Sequence, residues 1–245
     1  ISKTGGAPVL KLQTNFGGGK THSMLALYHM FSGIDSSKLP GIEPILQEAE
    51  VSKIPAANRA VIVGTALSPA QTSKKDDGTK INTLWGEIAW QLGSKKGYKL
   101  VEDSDKSGVN PGSDVLRELF KQYGPCVILI DEWVAYIRLL KDDLPGGSFD
   151  SNISFVQSLT EAANASEGCL VVASLPMSDI EKGGEAGKEA LRRMEHVFDR
   201  IDTPWRPASS EEGFEIVRRR MFEPILDPEK QKMKDAVVRE FSSLY

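Results

Sequence analysis

The stretch Val9-Leu10-Lys11-Leu12-Gln13-Thr14-Asn15-Phe16-Gly17-Gly18-Gly19-Lys20-Thr21-His22 decides how the rest of the chain is read. Val9 to Leu12 reads as a short buried strand. A glycine run follows and leads into Gly-Lys-Thr. Beyond it Met24, Leu25, Tyr28 and Phe31 recur at three- and four-residue spacing, so a helix is expected from about Lys20 to Phe31. Strand, glycine loop and helix start together are the setting of a Walker A phosphate loop. In such a loop the backbone N–H groups point at the phosphates, and the helix N-terminus adds partial positive charge. Asn15, Phe16, Gly17, Gly18, Gly19, Lys20, Thr21 and His22 are therefore the candidate nucleotide-binding residues. Lys20 is expected to reach the β- and γ-phosphates, and the Thr21 hydroxyl to ligate Mg²⁺. The first glycine of the consensus is replaced by Thr14, so the loop must draw its freedom from the three glycines downstream.

Working outward, Val127-Ile128-Leu129-Ile130-Asp131-Glu132 is an apolar strand ending in two acids, the Walker B pattern. Asp131 is expected to hold Mg²⁺ at the strand's C-terminal end, where ligands bind in open α/β sheets. Glu132 is then placed to polarise a water for attack on the γ-phosphate. Small-molecule kinases and GTPases usually lack an acid at that place. A further strand, Leu170 to Ala173, ends in Ser174, a candidate sensor of the attacking water. Phosphoryl transfer often enlists an extra cation from a neighbouring subunit. Arg200 is the first candidate for it, followed by Arg192, Arg193 and the run Arg218 to Arg220. Successive helical residues point about 100° apart, so that run cannot all face one phosphate.

The remaining chain alternates strands with helices, which points to an α/β layered fold with a mostly parallel sheet. Ala60 to Val63 is expected to be a strand, and Thr83 to Leu92 a helix with Leu84, Ile88 and Leu92 on one face. Ser113 is expected to cap a helix through Leu116, Leu119 and Phe120. Further helices are expected at Glu132 to Leu140, at Ser154 to Ala163 and through Leu191 to Phe198, with a short strand at Ile201 to Thr203. Residues 68–80 and 93–112 read as polar loops. From residue 209 the strands stop: Ser209 and Glu212 form a capping-box pattern, and Asp227-Pro228 opens a last helix. Residues 1–208 are thus expected to form the core and 209–245 the start of a helical lid.

Composition bounds the reading. The chain has 245 residues, 40% hydrophobic and 26% charged, which excludes disordered and fibrous classes. A net charge of -4 gives no overall positive field to advertise nucleic-acid binding. No apolar run reaches the roughly 18 residues of a membrane helix. Cys126 and Cys169 each sit beside an apolar run, as buried thiols of core strands do, so a reducing, cytoplasmic setting is expected. Asp103 to Asp114 mimics a calcium-binding EF-hand loop, but Asn110 and Pro111 break the pattern and the twelfth position is Asp instead of Glu. It is read as a polar surface loop. No zinc cluster or Ser-His-Asp set emerges. The chain opens on Ile1 and stops at Tyr245 inside a helical pattern, so it reads as a segment of something longer.

Four blocks, LQTNFGGGKTHSMLALYH from Leu12, TLWGEIAWQLG from Thr83, VILIDEW from Val127 and EEGFEIVRRRMFEP from Glu211, together resemble a family of AAA+ superfamily ATPases of bacteria and archaea. Its members are large proteins bearing domains of unknown function, often encoded beside DNA methyltransferases and helicases in anti-phage, restriction-like islands. The resemblance runs from Val9 to Phe222, and Thr14 in place of the first glycine is what this family carries. It implies a three-layer P-loop fold of AAA+ type with a helical lid. It also implies ATP and Mg²⁺ as ligands, and a ring-like homo-oligomer in which an arginine completes a neighbour's site. A defence role with DNA and DNA-modifying partners would act through regions outside this segment. The expectation is an Mg²⁺-dependent ATPase core. The rivals are a non-hydrolysing, nucleotide-gated scaffold, against which Glu132 argues, and a small-molecule kinase, against which the Asp-Glu pair and the helical tail argue.

Overall fold

The apolar runs of the sequence become parallel strands. The computed structural model describes residues 6–14, 19–177, 183–199, 203–205, 218, 221–223 and 225–242. The chain divides into two compact units, Ile1–Pro207 and Ala208–Tyr245. In the first, β1 (Val9–Thr14), β2 (Asn58–Val63), β5 (Cys126–Asp131), β6 (Cys169–Pro176) and β7 (Thr203–Trp205) form one sheet in the order β2-β5-β6-β1-β7, and every pairing is parallel. A two-residue hairpin, β3 (Ser73–Lys74) and β4 (Lys80–Ile81), stands apart from it.

The helices are α1 (Lys20–Met30), α2 (Ile42–Glu48), α3 (Leu84–Lys99), α4 (Glu102–Ser107), α5 (Ser113–Tyr123), α6 (Trp133–Ile137), α7 (Phe149–Asn164) and α8 (Glu185–Phe198). They flank the sheet unequally. Strand side chains alternate between two faces, and β5 shows the division. Ile128 and Ile130 join a large core with Trp85, Ile88, Phe120, Trp133, Phe155 and Phe198, supplied by α3, α5, α6, α7 and α8. Val127 and Leu129 face the other way, into a small core with Leu12, Met24 and Val172. On that side α1 adds Leu27 and Tyr28, only partly buried. The helices on the large core have the expected stripes: Leu116, Leu119 and Phe120 are the buried residues of α5, and Ala190, Leu191, Met194, Val197 and Phe198 line α8.

Several elements differ from the sequence expectation. α3 runs on past Leu92 to Lys99, across a break at Gly93 and Ser94 where Ser94 takes φ 50°. A Cβ on Gly93 would lie 2.5 Å from the Tyr123 ring, so a side chain there would have to push that ring aside. Gly112, not Ser113, is the residue preceding α5, and Ser113 makes no capping bond. α6 is shorter than Glu132 to Leu140 at both ends: it starts at Trp133 because Glu132 is left-handed, φ 53° and ψ 38°, and it stops at Ile137. The 68–80 loop holds the β3–β4 hairpin, turning at Gly78 with φ 83°. The 93–112 loop holds α4, and its Asp105 is fully buried. Backbone N–H groups of Asn82 (3.1 Å) and Thr83 (2.9 Å) and the hydroxyls of Thr83 (2.6 Å) and Tyr98 (2.9 Å) donate to the Asp105 carboxylate. An acid bound on all sides by its own chain is no calcium ligand, so the rejection of the EF-hand has a structural reason.

At the β2 margin the Gln91 amide receives the Val61 N–H at 2.7 Å and donates to the Val61 carbonyl at 2.9 Å. It also donates to Glu87, which pairs with Lys75 at 2.7 Å. Cys126 and Cys169 are free, buried, and register partners on β5 and β6. A hydrogen bond with Cys126, followed by burial, pushes the Cys169 thiol well above its usual range, so it stays protonated and inert. In the second unit α9 (Pro228–Ser242) opens as expected, with the Asp227 carboxylate accepting the Glu229 N–H at 2.9 Å. Ser209, Glu212 and Ile201 lie outside the described residues. Among the described residues no helix is long and apolar enough to cross a membrane.

Candidate functional site

Three strand ends meet at the carboxyl side of the sheet, where parallel strands leave their crevice. β1 ends at Thr14, β5 at Asp131, and β6 carries Ser174 opposite Leu12 in register. β6 lies between β1 and β5, so Ser174 sits between the strand that leads toward α1 and the strand that ends in Asp131.

Gly19 precedes α1 in a left-handed conformation, φ 79°, which a side chain would resist. No side chain caps the helix, and its first turn carries no acid. The partial positive charge of that terminus is therefore not neutralised from within the helix. Lys20, half-buried, donates from Nζ to the Thr14 carbonyl at 2.9 Å, tying the helix start back to the end of β1. One residue on, the Thr21 hydroxyl donates to Asp131 Oδ2 at 2.6 Å. Residues 110 positions apart in the chain thus share one hydrogen bond at the mouth of the sheet.

Asp131 is 7% exposed and is bound from its other side too. The Ser174 hydroxyl donates to Asp131 Oδ1 and accepts the Glu132 N–H at 2.9 Å. The Glu132 N–H also reaches Asp131 Oδ1 at 3.1 Å. Ser174 is 2% exposed, so its hydroxyl serves these two acids and not open solvent. Glu132 itself is exposed, as is His22.

Asn15, Phe16, Gly17 and Gly18 lie outside the described residues, as does Arg200. Arg192 and Arg193 are described, and both are engaged within their own surroundings. Arg192 takes Glu189 in a two-pronged pair at 2.8 and 2.9 Å, and Arg193 bonds Glu189 at 2.9 Å and Asp150 at 2.7 Å. Glu189 is held down to about 2 by those two arginines.

Sequence reasoning missed Gly64. It follows β2 directly, and its N–H donates to the Asp131 carbonyl at 2.8 Å. A Cβ there would lie 2.1 Å from the Glu132 carbonyl oxygen. The signal was a single glycine at the end of a buried strand, but its meaning depends on β2 pairing with β5, which the sequence does not state.

A family model described as the DUF499 N-terminal domain matches residues 1–206. The chain belongs to this family. No curated protein matches the chain, and no solved structure matches it. The DUF499 description names no activity. Among the described residues no three His, Cys, Asp or Glu side chains gather as a metal cage. The oxygens of Thr21 and Asp131 are hard donors in contact. That limited set fits Mg²⁺, which is usually held by one or two carboxylates together with substrate phosphates.

Proposed function

We propose that this domain is the nucleotide-binding core of an Mg²⁺-dependent ATPase with a P-loop of AAA+ type. The observation that carries the reading is the hydrogen bond between the Thr21 hydroxyl and the Asp131 carboxylate. It joins the first turn of the helix after the glycine loop to the end of the acid-bearing strand. The position of β6 between β1 and β5, with Ser174 near its end, supports the AAA+ variant.

In this mechanism Asn15 to Gly19 present backbone N–H groups to the phosphates, with His22 at the rim, and Lys20 supplies a fixed positive charge to the β- and γ-phosphates. Thr21 and Asp131 would hold Mg²⁺, which would supply positive charge against the negative charge of the β- and γ-phosphates. Glu132 accepts a proton from the water that attacks the γ-phosphorus; ADP departs carrying the bridging oxygen. Ser174 acts on the two acids, and Arg200 is the candidate for a cation offered to a neighbouring copy's phosphates. Residues 209–245 would begin the helical lid. From the resemblance we also take a role in anti-phage defence, with DNA and DNA methyltransferase or helicase partners meeting other parts of the protein.

The test is ATP turnover by the full-length protein with Mg²⁺, with EDTA, and with and without double-stranded DNA. Mg²⁺-dependent turnover lost in Lys20→Ala and in Glu132→Gln is expected, and stimulation by DNA would support the defence role. Wild-type turnover in Glu132→Gln would remove it as the base. Nucleotide binding without any turnover would leave the scaffold reading.

A further inference from the structure

We infer that Gly64 and Ser174 are positioning residues that brace the Asp131–Glu132 turn in a strained left-handed form, and that this strain is kept to present the Glu132 carboxylate. The inference rests on the ATPase reading for its consequence in turnover, but not for its structural part.

Glu132 occupies a position its side chain opposes twice. At φ 53° and ψ 38° it is in the left-handed region, where a residue with a Cβ is disfavoured. It also precedes the first residue of α6, a place suited to Ser, Thr, Asp or Asn, and its side chain makes no capping bond there. Glycine or asparagine would suit the backbone better. A strained residue persists only where its surroundings over-determine it, and such residues gather at functional sites.

The surroundings are specific. From β6, Ser174 Oγ accepts the Glu132 N–H while giving its one proton to Asp131, so a single hydroxyl fixes both acids. From β2, the Gly64 N–H fastens the Asp131 carbonyl at 2.8 Å. The Glu132 carbonyl then lies over Gly64, in space that a Cβ would need: its oxygen would be 2.1 Å and its carbon 2.8 Å away. Gly64 is not among the positive-φ glycines, so space explains it and backbone conformation does not. An added methyl meets backbone that no rotamer change can clear. The turn itself has to move.

Turnover and stability test different halves of this. Gly64→Ala and Ser174→Ala are each expected to lower kcat at least tenfold while the Kd for ATP stays within threefold, because the phosphate-binding residues are untouched. Wild-type kcat in both would overturn the brace. Stability reads the strain without any turnover. Glu132→Gly, which relaxes the left-handed position, is expected to raise Tm by about 2–4 °C. Glu132→Gln, which keeps the Cβ, should leave Tm unchanged. Equal Tm values for Glu132→Gly and Glu132→Gln would overturn the strain. If the wild-type protein hydrolyses no ATP but this Tm difference appears, the ATPase reading fails and the brace stands. If Gly64→Ala does not fold, Ser174→Ala and the Tm pair still decide.

Discussion

Asp105 and Asp131 are two buried carboxylates in one domain, and their donors set them apart. Asp105, wholly inaccessible, collects backbone N–H groups from Asn82 and Thr83 and hydroxyls from Thr83 and Tyr98. These pin the end of β4, the start of α3 and the α4 turn to one another. Asp131 takes two alcohols, Thr21 and Ser174, together with the N–H of its own neighbour, and it borders a groove lined also by Thr21, Val63 and Leu129. Backbone donors cannot turn away from a carboxylate without unfolding the segment. A hydroxyl can rotate and offer its lone pairs elsewhere. The first acid is a rivet; the second is fixed through one oxygen by Ser174 and shares the other with Thr21, whose hydroxyl can release it toward a cation.

That contrast can be broken most forcefully at Asp105. Asp105→Ala strands several buried donors at once and should destabilise the fold by about 3–5 kcal/mol. Urea denaturation checks it, and a loss below about 1 kcal/mol would put Asp105 on the same footing as a surface acid. Asp131→Asn should do the reverse. Turnover falls at least about 100-fold, as for a displaced metal ligand, while Tm stays within about 2–4 °C of wild type. A large fall in Tm there would make Asp131 a second rivet. The smallest effect sharpens the first. Tyr98→Phe removes one donor from Asp105 and should cost about 1 kcal/mol. Burial, and after it the charge of Asp105, push the Tyr98 hydroxyl above its ordinary value of 10.0. A raised folded-state value gives stability that is complete below pH 10 and lost as the pH climbs through the folded-state value. The wild-type protein should therefore shed its advantage over Tyr98→Phe in alkali, and a gap unchanged between pH 8 and pH 11 would refute the Tyr98–Asp105 coupling.

What could be read from the sequence follows the same division between local and distant causes. β1, α1, β2, β5 and β6 announce themselves through short-range apolar pattern, and the parallel sheet follows from their alternation with helices. The β3–β4 strands have no such pattern, being two residues each. α4 looks polar because what holds it is Asp105, whose partners lie more than 20 positions upstream apart from Tyr98. At the site, Thr21 and Asp131 are recognisable as motif residues, and their contact in space is a finding of the structure. Gly64 was illegible for the reason Asp105 was. Its neighbour, the Glu132 carbonyl, comes from the turn after β5, which lies beside β2 only after folding.

One side chain described above also limits how copies of this domain can associate. Among the described residues β2 is the last strand at its side of the sheet, and the backbone of such a strand ordinarily invites another to pair with it. Here Val61 already has both of its outward bonds made by the Gln91 amide, and Gln91 is anchored through Glu87 to Lys75. An incoming strand would have to evict a glutamine secured by a largely buried ion pair before gaining its own bonds. An amide plug thus closes the middle of that margin to strand-by-strand growth, and assembly has to find another surface.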